Sequence, residues 1–396
     1  MKEITDIIAA YQIAVQQNIR TALATVVQVE GSSYRRPGAR MLVTENGHFT
    51  GAISGGCLEG DALRKAQLAI HNERNKLVTY DTSDEDDVAF GVQLGCNGII
   101  HILFEPIIPE GKNNPVNILT RLLEERKDAV VVTIFNLKNR YTDHPGTCLL
   151  LKQNLLVASQ SLLNTASSEV FATKAQGILN TRKSEFTSLG GFDSFFEFLP
   201  PPIHLIIAVA GNDVIPLTVI AKSVGWKITV FDGRYSHATH SRFPLADHLH
   251  VIKPEEITDT IHFDEQTVCV LMTHNYQYDL ASLQVLIQQP VAYIGSLGPK
   301  KKLELMLEET SRNGLLPDAL KLSIIHGPVG LDIGAETSEE IAIAIMAEIF
   351  AVLSGRKGTF LKNKSAGIHD REPAGKIESA HKTAVVCSVN QEIANE

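Results

Sequence analysis

The sequence predicts an α/β protein: an amino-terminal α/β domain followed by a doubly wound, Rossmann-like domain with a parallel sheet. Three observations carry that prediction. The chain has 396 residues, more than one hydrophobic core usually serves. From Ile203 onward, short apolar runs alternate with helical stretches, the pattern of a parallel sheet covered on both faces. Between the halves stands Leu199-Pro200-Pro201-Pro202, where three prolines cannot join a ladder, and the domain boundary is placed there.

Residues 1–110 form the first predicted segment. A helix opens it, and TALATVVQVE, ARMLVTENG and HFTGAIS read as strands, being β-branched runs ended by Gly or Asn turns. Leu58, Ala62, Leu63, Ala66, Ala69 and Ile70 then recur at the helical period, and IIHILFEPI reads as a strand ending at Pro106. Residues 111–199 extend this domain with a helix (NILTRLLEER) and two strands (AVVVTIF and TCLLLK). Residues 200–355 carry six short strands, IHLIIAVA, KITVF, HLHVI, TVCVLM, VAYIG and LSIIHG. The helices VIPLTVIAKSVG, YDLASLQVLIQ and KKKLELMLEET fall between them. A last helix starts at the capping box Thr337-Ser338-Glu339-Glu340 and sets Ile341, Ile345, Ile349 and Val352 on one stripe. Residues 356–396 read as a polar, disordered tail.

Composition narrows the function classes. The chain is 44% hydrophobic and 20% charged, ample material for a buried core. A net charge of −9 without a basic stripe argues against a nucleic-acid or anionic-membrane surface. No apolar run approaches the ~18 residues that span a bilayer. The opening stretch MKEITDIIAAYQIAVQQ mixes apolar with charged and amide residues, unlike a secretion signal. Five scattered cysteines, an odd number, suit a reducing cytoplasm better than a disulfide framework.

Several glycine-bearing segments carry candidate chemistry. A dinucleotide fingerprint wants G-x-G-x-x-G after the first strand and an acid further on. Here Val209-Ala210-Gly211-Asn212-Asp213-Val214 keeps only the middle glycine, and Val209 at the tight turn is expected to crowd a phosphate. Asp232 would accept from ribose hydroxyls and Arg234 would contact phosphate, although such an Asp also serves as a strand-end cap. Two later loops precede helices, whose free N–H groups attract anions: Gly295-Ser296-Leu297-Gly298, and His326 to Gly334 with Gly330 inside it. Both read equally as turns.

Two cysteines stand in glycine-rich settings. The segment Gly51 to Asp61 runs from a strand through Gly55-Gly56 into a helix, placing Cys57 near a helix N-terminus that favours its thiolate. Gly95-Cys96-Asn97-Gly98 is the second. Neither belongs to a CxxC pair, so structural zinc is not expected, and each alone also reads as a small buried hydrophobe. The segment Gly31 to Arg40 sets Arg35, Arg36 and Arg40 beside Ser32 and Ser33. It is an oxyanion clamp if those arginines converge and a solvated hairpin if they do not.

GSSYRRPGARM, GAISGGCLEGD and QLGCNG, with a strand ending in FEP, resemble the amino-terminal signature of the XdhC/CoxI family, the xanthine dehydrogenase accessory factors. The second half resembles that family's Rossmann domain through TVFDGR, RFPLAD, MTH with Asp279 beyond it, YIGSLGPKKK and GPVGLDIGAETSEEIA. The resemblance spans about residues 10–355. It implies a maturation chaperone that binds the molybdenum cofactor (molybdopterin) and shields it while a sulfido ligand is installed. It further implies delivery to a molybdenum hydroxylase such as xanthine dehydrogenase, with a cysteine desulfurase as sulfur donor. The residues suit such a role. Ser33, Arg35, Arg36 and Arg40 would clamp the cofactor's phosphate. Gly55, Gly56 and Glu59 would flank it, and Cys57 and Cys96 would meet its soft molybdenum. In the second domain Gly211, Asp232, Arg234, Gly295, Gly298 and Gly330 are the candidates for a bound nucleotide or phosphate. Extended apolar strands in both halves are compatible with a homodimer.

Two other classes compete with that reading. An NAD(P)-dependent oxidoreductase would use the second domain, and the degraded fingerprint argues against it. A catalytic hydroxylase chain would need iron–sulfur spacing such as C-x₄-C-x₂-C, which five isolated cysteines do not provide.

Overall fold

The structure, a computed structural model, describes residues 1–81, 98–109, 111, 113–139, 144–153, 155–159, 162, 168–315 and 319–365. Between Pro201 and Pro202 the chain divides into two compact units.

The first unit begins with helix α1 (Lys2–Gln16) and a sheet of five antiparallel strands. These are β1 (Thr21–Gly31), β2 (Arg40–Thr44), β3 (Phe49–Gly51), β4 (Lys76–Asp81) and β5 (Gly98–Ile107), in the order β3-β2-β1-β5-β4. Helix α2 (Glu59–Asn72) covers one face, its Ala62, Ala66 and Ile70 packing on Ala22, Ala24, Val26, Met41 and Val43. The alternate residues Leu23 and Leu42 meet Ile4, Ile7 and Ile8 of α1 on the other face. That two-sided burial explains why β1 reads as a nearly continuous apolar run rather than an alternating one.

A second antiparallel sheet follows, in the order β8-β7-β6-β10-β9. Its strands are β6 (Ala129–Phe135), β7 (Gly146–Lys152), β8 (Leu155–Ala158), β9 (Glu185–Leu189) and β10 (Phe192–Leu199). The expected helix over NILTRLLEER shrinks to α3 (Pro115–Thr120), started by the Asn114 side chain accepting from Asn117 N–H at 2.9 Å. Lys152 Nζ donates to the carbonyls of Arg121 (3.1 Å) and Leu122 (3.3 Å), satisfying groups that a longer helix would have used. Helix α4 (Ser168–Thr181) packs Phe171, Ala175 and Ile178 on this sheet.

The second unit is one six-stranded parallel sheet. Its strands are β11 (His204–Ala208), β12 (Lys227–Asp232), β13 (His248–Val251), β14 (Thr267–Leu271), β15 (Tyr293–Ser296) and β16 (Ile325–His326). Their order β13-β12-β11-β14-β15-β16 is the doubly wound Rossmann arrangement. Helices α5 (Val214–Ser223) and α8 (Ser338–Leu353) cover one face, and α6 (Tyr276–Leu286) and α7 (Lys300–Arg312) the other. The capping box of α8 is formed: Thr337 Oγ1 accepts from Glu340 N–H, and Glu340 accepts from Thr337 N–H at 2.9 Å. Among the described residues no helix is long and apolar enough to cross a membrane. Of the expected polar tail, residues 366–396 lie outside the described residues.

Candidate functional site

The first unit brings two of the glycine segments together. Residues Ser54 to Cys57 turn between β3 and α2, and a local lock pins them. Glu59 accepts from the Ser54 N–H at 2.8 Å and from the Ser54 hydroxyl. That hydroxyl oxygen accepts in turn from Gly56 N–H (3.2 Å) and Leu58 N–H (3.1 Å). Burial pushes the Glu59 pKa up, but the Ser54 hydrogen bonds outweigh it and hold the carboxyl below its ordinary value. Glu59, expected beside the cofactor, is buried and fixes the turn.

What the lock presents is a thiol with room beside it. Cys57 is free and half-buried, two residues before the first helical residue, Glu59. Gly56 adopts φ +111° with no atom within 4 Å of where a side chain would begin. The Tyr34 ring packs over Gly55, so the arginine segment meets the glycine–cysteine turn. Next to Tyr34, Ser33 is buried, and its hydroxyl has no hydrogen-bond partner among the described residues. A polar group of a ligand would satisfy it. Cys96 lies outside the described residues. Cys148 and Cys269 are wholly buried, and burial pushes both thiols up, so neither offers a thiolate.

Two of the three arginines expected to form a clamp are engaged with carboxylates of this chain. Arg40 is not a loop residue; it opens β2, is 1% exposed, and pairs with Glu197 of β10. Arg35 pairs with Glu3 of α1. The Arg40 pair is buried and joins two strands, the Arg35 pair is half-exposed, and Arg36 is the exposed arginine of the segment.

In the second unit a cleft of about 1020 Å³ opens at the carboxyl ends of β11, β12 and β14, where the strand order reverses. Val209 forms the tight turn at φ 104°, a backbone region that suits glycine, with its side chain buried in the sheet's core. Asp232 is not available to a ribose. Its Oδ1 accepts from Arg234 N–H (2.8 Å) and Nε (2.9 Å), and its Oδ2 from Ala210 N–H (2.9 Å) and Arg234 Nη2 (2.7 Å). Four donors fill the four acceptor positions of a carboxylate. Burial pushes the Asp232 pKa up, and these bonds overcome it to hold the carboxyl low.

Other motif residues brace the cleft. Arg242 Nη1 donates to the carbonyls of Ala210 (2.7 Å) and His237 (2.9 Å), and its Nη2 to Asn212 Oδ1 (2.7 Å). Asp279, fully buried, pairs with Lys302, which also donates to the carbonyls of Thr273 and Leu297 at 3.2 Å each. Gly295 and Gly330 lie outside the lining of this cleft, although Leu297 of the first loop is part of it. A side chain on Gly295 would stand 2.5 Å from Val329 and 2.9 Å from Tyr293, and Gly330 gives its N–H to Glu348 at 2.8 Å. Gly298, at φ +116° before α7, is likewise not part of the lining. The sequence reading missed Asp213, Arg242, His274 and Tyr278, all of which line the cleft. Their signal was in the text itself, since RFPLAD supplies Arg242, MTH supplies His274, and Asp213 is the fifth residue of the damaged fingerprint.

Comparison with known proteins agrees with both halves. The model of the XdhC and CoxI family matches residues 14–81, and that of the XdhC Rossmann domain matches residues 205–349. A Bacillus subtilis (strain 168) protein, named there as one of the probable xanthine dehydrogenase subunits, is 33% identical over 333 residues, covering 83% of this chain and 91% of its own length. The molybdenum cofactor insertion chaperone PaoD of Escherichia coli (strain K12) is 23% identical over 330 residues, 83% of this chain and 82% of its own. A crystal structure from Bacillus halodurans, described as a xanthine dehydrogenase, superposes with a TM-score of 0.70 at 30% identity, covering 89% of this chain and 97% of that one. By sequence and by fold, the chain belongs to the XdhC and CoxI family.

Proposed function

We propose that this protein carries the molybdenum cofactor as cargo, shields it while its sulfido ligand is installed, and delivers it to a xanthine dehydrogenase-type hydroxylase. The observation that carries the reading is the locked Ser54–Glu59 turn, which holds the half-buried Cys57 thiol beside an open glycine. A soft metal favours sulfur, and close approach to a bulky cargo favours glycine. The unpartnered Ser33 hydroxyl next to the same turn offers a polar contact of the kind a bound ligand completes. The three described cysteines are all free thiols, which fits work in the reducing cytoplasm. A cysteine desulfurase as sulfur donor and a self-associated dimer belong to this proposal.

The test is anaerobic purification followed by assay for molybdenum and released pterin. Wild-type protein should carry both. Cys57→Ala should lose most of the cargo while its unfolding midpoint stays within a few degrees, and Cys57 should alkylate faster than Cys148 or Cys269. Cargo retained by Cys57→Ala would overturn the role of this thiol. Cofactor-free wild-type protein, from cells that make the cofactor, would overturn the carrier function.

A further inference from the structure

A doubly wound sheet of this order implies a dinucleotide across the crevice where the strand order reverses, and the cleft of the second unit opens there. The residues present do not fit that group. The fit is decided first by the acid that ends β12, which in a dinucleotide site keeps carboxylate oxygens free for ribose hydroxyls. Asp232 stands at that place, buried, with its four acceptor positions filled from within the chain. Three of the four donors belong to Arg234: its backbone N–H at 2.8 Å, Nε at 2.9 Å and Nη2 at 2.7 Å. Nε reaches one carboxylate oxygen and Nη2 the other, the two-pronged pairing of a guanidinium with a carboxylate.

A ribose would have to win Asp232 from Arg234. Its hydroxyls are neutral donors, whereas hydrogen bonds from a charged guanidinium are roughly twice as strong. NADP fares no better. An arginine near this acid can receive a 2′-phosphate, but Arg234 is already held by a carboxylate that would repel that phosphate. The pyrophosphate end is closed separately. Val209 stands where the fingerprint has its first glycine, at φ 104°, fixed by its N–H bond to the Phe231 carbonyl (2.8 Å) and by its buried side chain. Beyond it, Arg242 ties the fingerprint turn at Ala210 and Asn212 to His237 in the loop after β12.

We propose that the second unit is a self-occupied dinucleotide site, in which the Arg234 side chain takes the place of the ribose on Asp232 and Val209 denies the pyrophosphate its turn. The cleft therefore takes neither NAD nor NADP, and Arg234 is the residue that excludes the ribose. Its side chain is 54% exposed, so removing it frees two acceptor positions of Asp232 and leaves the backbone bonds from Ala210 and Arg234 in place. The two obstacles act on different parts of the ligand, so lifting one of them is not enough. This inference does not rest on the carrier function, which is placed in the first unit.

NADH and NADPH are fluorescent and serve as the probes, titrated with full-length protein. Wild type, Val209→Gly and Arg234→Ala should show no saturation up to about 1 mM, the weak end of specific binding. Val209→Gly combined with Arg234→Ala should saturate with NADH at a concentration at least tenfold lower. Adding Asp232→Asn to that pair should remove the gain, because the freed carboxylate is what recognises the ribose. Thermal melts establish that each variant is folded, and Arg234→Leu takes the place of Arg234→Ala if the latter is not. Wild type saturating with either probe below about 100 μM would overturn the proposal. So would a folded double variant without gain. Arg234→Ala binding as tightly as the pair would overturn the part given to Val209, and a gain that survives Asp232→Asn would overturn the part given to Arg234.

Discussion

Glu105→Gln should make the first unit more stable above neutral pH and remove a pH dependence that the wild type has. Glu105 lies on β5 and is wholly buried, with Oε1 accepting from Thr147 N–H at 2.6 Å and Oε2 from the Thr147 hydroxyl at 2.9 Å. Burial pushes its pKa up to about 7 from an ordinary 4.5, against the pull of the Thr147 bonds and the Arg40 charge. The folded protein therefore holds this proton more tightly than the unfolded chain. Its stabilising contribution is complete below pH 4.5 and is lost as pH rises through 7. At about 1.4 kcal/mol per pH unit, that interval is worth about 3 kcal/mol. Glutamine mimics the protonated acid: its carbonyl accepts from Thr147 N–H, and its amide donates to the Thr147 oxygen. Urea midpoints of both proteins, followed from pH 5 to 8, should converge at the acid end and separate at the alkaline end. In thermal terms the gap at pH 8 should be roughly 6–12 °C for a unit of this size. Parallel curves, or a glutamine variant less stable at pH 8, would refute the argument.

Val209→Gly should be at least as stable as Val209→Ala, reversing the usual order in which glycine costs about 0.5–1 kcal/mol more, because only glycine is at ease at φ 104°; thermal melts of the pair decide it. Restoring this one glycine should not create NAD binding, since the saturated Asp232 remains, and calorimetry checks that. Arg40→Ala should cost about 3–5 kcal/mol by leaving Glu197 without its partner, and the double variant Arg40→Met with Glu197→Leu should recover most of the loss in denaturant melts.

The second unit was legible almost strand by strand, because each buried parallel strand announces itself as an apolar run between turn residues, from Leu205 through Ile294. The carboxy-terminal helix was legible from Thr337 and Glu340, a cap written in side chains only three positions apart. The stretch from 111 to 199 was harder. Strand β9 (EFTSL) has no buried residue, and α4 keeps the helical spacing with only three buried residues, Phe171, Ala175 and Ile178. At the candidate sites, proximity in sequence misled where pairing was long-range. Arg35 and Arg40 look like one cluster, but their partners, Glu3 and Glu197, stand 32 and 157 residues away. Asp232 was readable as the acid of the fingerprint. That Arg234, two residues on, folds back to saturate it depends on side-chain geometry that no spacing rule encodes.

The proline break has a consequence in time. Both antiparallel sheets of the first unit are built from residues before Pro201, so every strand they need has left the ribosome before the parallel sheet begins to appear. At about 5–20 residues per second, residues 202–353, which hold the parallel sheet and its helices, take roughly 8–30 s to synthesise. Closing β1 onto β5, whose paired residues Thr21 and Ile107 are far apart in sequence, is a slow non-local step. That interval lets it finish without competition from the strands of the second unit, and β10, already flanked by β6 and β9, offers them no free edge.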